Sequence, residues 1–286
     1  MKRLSRRALA ATATLALAAS AASTAAAKPA PDIPPPAPTP AINMSKVLLA
    51  AQIDPARPDT AITAGSKSSV IRVERLLRRR GLLARNLVDG HYGSSTKAAF
   101  AAWQRSLGFT GLAANGLPGI TSLTQLAGTR FVVRGKVKIG PRVQLPGGSV
   151  VSRRTNRMKI ASAKLLASCK WIVTQGSYNA GGVPQSAGTH DGGGAMDLAV
   201  TGGCGTRRNA VRALRSVGFA AWFRPKIEGL WDAHIHAIAV NDTDLAAGAA
   251  NQVSDYYRGL DGLDGHGPDT GPQVPKVTWE QYKRTH

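Results

Sequence analysis

The chain of 286 residues contains only two cysteines, Cys169 and Cys204, so no more than one internal disulfide can form. Beyond residue 27 no segment stays apolar for the roughly 20 residues that a membrane-spanning helix needs, which excludes a membrane span there. Acidic residues are scarce, 16 against 37 lysines and arginines, giving a formal net charge of +21. Asp261, Asp264 and Asp269 near the C-terminus lack the ligand spacing and closing glutamate of an EF-hand. They read as part of a solvated tail over residues 259–286. Histidine is also rare. There are six in all, and three of them fall in two short motifs beside an aspartate.

The two ends of the chain are easily separated from its middle. Residues 1–27 open with Lys2, Arg3, Arg6 and Arg7, continue through an Ala- and Leu-rich run and end on Ala25-Ala26-Ala27, the pattern of an export signal. Ser5-Arg6-Arg7-Ala8-Leu9 also resembles a twin-arginine signal, so either export route is open. Residues 28–43 form a proline-rich linker, with seven prolines in residues 28–40, which favours a stiff extended spacer. Export to an oxidising compartment favours pairing Cys169 with Cys204. Cys169 precedes the apolar run Trp171-Ile172-Val173, and Cys204 follows a strand ending at Val200, so antiparallel neighbours would bring them together.

The motifs with chemical content are Thr189-His190-Asp191-Gly192-Gly193-Gly194-Ala195-Met196-Asp197 and Trp231-Asp232-Ala233-His234-Ile235-His236. Alternation predicts a strand that packs Met196, Leu198 and Val200 on one face and turns Asp197 to the other. The same rule packs Ala233, Ile235 and Ala237 and turns His234 and His236 away. The glycines at 192–194 are expected to serve a tight turn through positive φ. Two imidazoles and one carboxylate are a donor set for Zn²⁺, and a catalytic zinc site keeps three protein ligands and one open position.

His-x-x-Gly-x-Ala-x-Asp, matched by His190, Gly193, Ala195 and Asp197, resembles the first zinc motif of the D-Ala-D-Ala carboxypeptidase and hedgehog superfamily. His234-x-His236 resembles its second motif. The resemblance spans roughly residues 130–258. It implies zinc held by His190, Asp197 and His236, with His234 beside it as a general acid or base. Asp232 is the nearest candidate for the carboxylate helper found in relatives, with Glu228 more distant. Gln175, Ser177 and Tyr178 lie where relatives carry a substrate-binding turn. That turn lacks its usual arginine, and Gly188 stands where a serine is usual, so endopeptidase and carboxypeptidase remain alternatives.

Upstream, Val70, Val73, Leu76 and Leu77 recur at helical spacing and end at Gly81. A second helix runs through Ala99, Phe100, Trp103 and Gln104, with Ser94 or Ser95 as its cap, and a third covers residues 121–126. Asp89-Gly90-x-x-Gly93-x-x-Thr96 followed by the aromatic-Gln pair resembles the three-helix peptidoglycan-binding domain. Phe100 and Trp103 read as core residues, and the arginines at 72, 75, 78, 79 and 80 as a solvated face open to anions. A helix from Asn209 to Val217 and another from Leu245 to Tyr257, capped by Asp244, are expected later.

The expected fold is α+β. A small all-α three-helix domain at 44–128 precedes an α+β zinc peptidase-like domain at 129–258, built on a central antiparallel sheet. The expected function is that of a secreted zinc peptidase acting on peptidoglycan, the alternative being a non-catalytic wall-binding protein with a structural or recognition zinc site. Removing the four cations of residues 1–27 leaves a charge of +17. That field favours anionic partners, so peptidoglycan and anionic wall polymers are the expected partners of an expected monomer. No nucleic-acid-binding motif accompanies the charge.

Overall fold

The computed structural model describes residues 39–167, 169–200, 203–262 and 265–286. The export signal, most of the proline-rich linker and Asp264 lie outside the described residues. Residues 39–286 form one compact unit. Among the described residues the class is α+β, with eight α-helices and three small sheets. None of these helices is long and apolar enough to cross a membrane.

The N-terminal part is helical. Strand β1 (Ala41–Asn43) leads into α1 (Met44–Ile53), capped by Asn43, whose side chain accepts from the Lys46 amide. Helices α2 (Lys67–Arg79), α3 (Ser94–Ser106) and α4 (Ile120–Ala127) follow. Strand β2 (Val132–Arg134) then pairs in parallel with β1, bringing the two ends of the helical region together. Helix α2 presents Val70, Val73, Leu76 and Leu77 to the core at the predicted spacing. Phe100 is fully buried and Trp103 is half-buried, with the Arg80 guanidinium over its ring. Neither Ser94 nor Ser95 caps α3; the cap position is Gly93.

The residues of the Asp-Gly-x-x-Gly-x-x-Thr pattern are used internally. Buried Glu74 accepts from the Gly90 amide at 2.9 Å and from the Thr96 hydroxyl at 3.2 Å. Buried Gln104 donates to the Leu117 carbonyl and accepts from the Gly116 amide, both at 2.9 Å. A β-carbon at Gly116 would press into the Lys97 carbonyl, so this loop needs glycine for close approach as well as for its φ of 82°.

The C-terminal part is layered around a sheet. Strands β3 (Arg142–Gln144) and β4 (Val150–Ser152) form a hairpin that feeds α5 (Arg153–Lys164), capped by Ser152. The central antiparallel sheet has the order β5 (Val173–Gln175), β6 (Ala195–Ala199), β8 (His234–Ala239), β7 (Phe219–Arg224). Helix α6 (Arg207–Ser216) lies before β7, and α7 (Ala247–Arg258) and α8 (Trp279–Thr285) close the chain. Met196, Leu198, Ile235 and Ala237 face one core with Val211 and Leu214 of α6. The opposite face carries Ala195, Trp222 and Ile238 into a second core, shared with α7 and the N-terminal helices. Cys169 and Cys204 are joined by a disulfide where β5 and β6 run antiparallel.

Two expectations are corrected. The C-terminal segment is not a solvated tail. Arg215 and Asp269 form a buried ion pair at 2.8 Å, Arg154 grips Glu280 with two bonds of 2.9 Å, and Trp279 is buried. Asp244 does not cap α7, which starts after Ala246 without a side-chain cap; its carboxylate accepts from the Tyr178 hydroxyl.

Glu74 generates a pH prediction. Burial raises its pKa from 4.5 to about 7, against the opposing bonds from Gly90 and Thr96. Between those values the unfolded chain has released the proton and the folded chain still holds it, so stability falls as pH rises through this window. The full loss is on the order of 3 kcal/mol, at 1.36 kcal/mol per pKa unit. Glu74→Gln keeps an acceptor for Gly90 and a donor for Thr96, and should abolish this component. Urea unfolding at several pH values should show the variant gaining on the wild type from pH 4.5 to pH 7. Parallel stability curves would refute the assignment.

Candidate metal centre

Strand register assembles the site. Asp197 on β6 is the direct cross-strand partner of His236 on β8, and Ala199 is that of His234. Side chains at such positions lie on one face, about 4.5–5.5 Å apart at Cβ. His190 arrives from the loop before β6. The result is a buried group, His190, Asp197 and His236, whose ligand atoms all lie within 4.8 Å of one another, and it is the one such cluster among the described residues.

The loop carrying His190 is held from both sides. The Tyr178 amide donates to the Gly192 carbonyl at 2.8 Å, and the Asn179 amide to the His190 carbonyl at 2.9 Å. The Gly193 amide donates to the Asp244 carbonyl at 2.7 Å. Of the three glycines only Gly194 has positive φ, 80°. Gly192 and Gly193 serve a different need, because a β-carbon at either would collide with residues 242–246. Close approach, more than turn geometry, explains that run.

Surrounding acceptors fix the ring tautomers. His190 Nδ1 lies 2.8 Å from the Gly176 carbonyl, which can only accept, so Nδ1 carries the proton and the Nε2 lone pair faces Asp197 Oδ1 at 3.4 Å. Gln252 Nε2 donates to the Gly262 carbonyl at 2.8 Å, which turns its Oε1 toward His236 Nε2 at 2.9 Å. His236 must therefore donate through Nε2, leaving the Nδ1 lone pair against Asp197 Oδ1 at 2.7 Å. Burial pushes the His236 pKa down against the pull of Asp197. A neutral imidazole lone pair and a carboxylate at this separation repel unless a cation lies between them. The donor chemistry therefore fits a metal ion, with an acceptor behind each histidine as metal-binding imidazoles require.

The cluster opens on a cleft of about 540 Å³, within the range of small-ligand sites. His234 lines it; its Nδ1 donates to the Asp232 carbonyl at 2.7 Å, so its Nε2 lone pair points inward, 3.7 Å from Asp197 Oδ2. Val183, Leu230 and Trp231 form an apolar rim. Arg224, the cross-strand partner of His234, is buried in the wall. Burial lowers its pKa to about 10, with Asp261 and Asp197 opposing.

Not every predicted residue reaches the cleft. The Asp232 carboxylate points to solvent near Lys226, as does Glu228, because the loop before β8 turns outward ahead of His234. Asp232 contributes its carbonyl instead. Of the proposed substrate-binding turn only Gln175 lines the cleft, with a buried amide nitrogen that has no hydrogen-bond partner among the described residues. Ser177 donates to the Ala195 carbonyl and Tyr178 to Asp244, so both brace the histidine loop. Gln252 and Arg224 escaped sequence reasoning, since neither belongs to a motif. Compared with protein-family models, curated proteins and solved structures, the chain shows no significant match.

The outer acceptors can be tested without touching a ligand. Gln252→Ala leaves all three donors in place but frees the His236 ring. Zinc affinity should drop roughly 10–100-fold, the usual effect of removing such a partner, as measured by competition with a chromophoric chelator. Affinity unchanged within about twofold would mean that Gln252 does not hold the ring.

Proposed function

We propose that this protein is an exported zinc peptidase that cuts stem or cross-link peptides of peptidoglycan, with the helical region 44–128 directing it to the wall. The carrying observation is the set of three electron-pair donors on His190, Asp197 and His236, gathered in a buried site beside an open cleft. A zinc ion held by them would supply Lewis acidity and lower the pKa of water at the site.

The remaining chemistry belongs to the chain. His234 Nε2, with its proton-bearing Nδ1 tied to the Asp232 carbonyl, accepts a proton from the attacking water and returns it to the departing amine nitrogen. The apolar rim of Val183, Leu230 and Trp231 limits water around the reacting amide. Arg224 brings to the cleft the cation missing from the turn at 175–179, so a substrate with a terminal carboxylate fits as well as an internal peptide. Peptidoglycan as substrate, and wall anions as partners for the basic surface, rest on the resemblance of the motifs and on the charge of +17 left without the four cations of residues 1–27.

A second reading has its own support. With the Asp232 and Glu228 carboxylates in solvent, no carboxylate helper from that loop enters the cleft, which favours a wall-binding protein that recognises peptide without hydrolysis. Mature protein incubated with purified peptidoglycan, with and without chelator, separates the two readings by mass spectrometry of released fragments. Chelator-sensitive release of peptides supports the enzyme. Zinc-loaded protein that sediments with walls and releases nothing supports the binding protein.

His234→Ala tests the division of labour. Near-stoichiometric zinc should remain while turnover falls by roughly 10²–10⁴-fold, the usual contribution of a general acid–base group. His236→Ala should lose zinc and activity together. Equal zinc loss in both variants would make His234 a fourth ligand, favouring the non-catalytic reading.

A further inference from the structure

A fourth histidine of the cleft is held in a way that the peptidase reading does not use. His266 lines the same cleft as the metal cluster, and its Nδ1 lies 2.8 Å from Asp255 Oδ2. The Asp255 side chain is 5% exposed, and its other oxygen lies 3.3 Å from Arg258 Nη1. An ionised carboxylate only accepts, so Nδ1 must carry the imidazole proton, and among the described residues Nε2 has no hydrogen-bond partner.

The backbone argues that this side chain is there for a reason. His266 has a φ of 42°, in the left-handed region, which is strained for a residue with a β-carbon. Gly265 and Gly267 flank it, so the loop already uses the residue that takes this conformation freely. The loop base is fixed by two backbone bonds, Asp261 amide to Gly267 carbonyl at 2.9 Å and Asp269 amide to Gly259 carbonyl at 2.8 Å. Asp255 sits three residues after Gln252 on α7, a spacing that puts both on one helix face. One helix therefore positions the metal-facing His236 and His266 alike.

We propose that Asp255 and His266 form a second substrate-contacting group, in which Nε2 accepts a hydrogen bond from an N–H of the bound peptide. This rests on the peptidase reading only in taking the cleft as a peptide site; it requires neither zinc nor turnover. His266 is a binding residue in this account, and Asp255 positions it.

The separating variant is His266→Asn. Asparagine tolerates positive φ, and its amide can still donate to Asp255, but nothing stands where Nε2 was. A synthetic stem pentapeptide, L-Ala-γ-D-Glu-L-Lys-D-Ala-D-Ala, titrated into the full chain gives a readout by calorimetry and by ¹⁵N NMR of the imidazoles. Wild type should show His266 as the Nδ1–H tautomer and a peptide-induced shift at Nε2. His266→Asn should keep its melting temperature and zinc content while binding the peptide roughly tenfold more weakly, the loss of one hydrogen bond. Asp255→Asn should invert the tautomer and weaken binding with His266 still present. Unchanged affinity in both variants, or no shift at Nε2 in wild type, overturns the proposal and leaves the pair as a loop fastening. A peptide-induced shift at Nε2 in wild type, with no wall fragments released by the zinc-loaded protein, overturns only the peptidase reading.

Discussion

The carboxylate of Asp197 is buried in the middle of a sheet, and much of the C-terminal half follows from what that burial demands. An isolated buried carboxylate costs several kcal/mol unless it is paired and hydrogen-bonded. Three histidines face it, from the preceding loop and from two positions of the neighbouring strand. Each of the three has its other ring nitrogen tied to an oxygen: Gly176, Asp232 and Gln252. The imidazoles cannot rotate away to relieve the crowding of lone pairs. The His190, Asp197 and His236 donors of this cluster could hold one divalent cation, which would balance the buried carboxylate.

Helix α7 passes the constraint outward. It carries Gln252 and Asp255 toward the cleft, while its other side packs on α1 from the far end of the chain. Polar bonds reinforce this contact. Gln52 donates to the Asp242 carbonyl and accepts from the Asn241 amide, and Ser254 donates to the Ile53 carbonyl. Asn241, at a φ of 64°, also reaches Ser45. The helical region therefore shares a core with the sheet and steadies the helix that orients the cleft. A module meant only to tether the protein would not need such contacts.

Sequence periodicity was a good guide wherever one face of an element is buried and the other is not. The alternation around Asp197 and the spacing of Val70, Val73, Leu76 and Leu77 both gave the observed faces, and the strand order implied by Cys169 and Cys204 is the one that joins them. Helix α1 was invisible for the opposite reason. Met44, Val47, Leu48, Ala50, Ala51 and Ile53 are buried almost all round, so no polar stripe marks a period. Glycines and aspartates near the C-terminus suggested solvent, yet Asp269 is spent on a buried arginine more than fifty residues away, a partnership no local pattern encodes. The site divides the same way. His190, Asp197 and His236 were legible because metal chemistry restricts residue type and strand register restricts spacing. Gln252, Asp255 and His266 meet them only through the packing of α7.

The same logic qualifies what the large positive charge can do. Arg154, Arg215 and Arg224 are buried, the first two against Glu280 and Asp269. Arg80 and Arg142 lie over aromatic rings. These cations hold the fold together, and pairing removes the two ion-paired ones from the field that a polymer would feel. Arg75, Arg78 and Arg79 of α2 present their charge at some distance in sequence from the cleft, while Arg224 is the one arginine among the described residues that lines it. On the proposed function, attraction to an anionic polymer and recognition of a peptide would fall to different residues. Salt would then weaken the first more than the second, because exposed charges are screened within about 8–10 Å while Arg224 is buried.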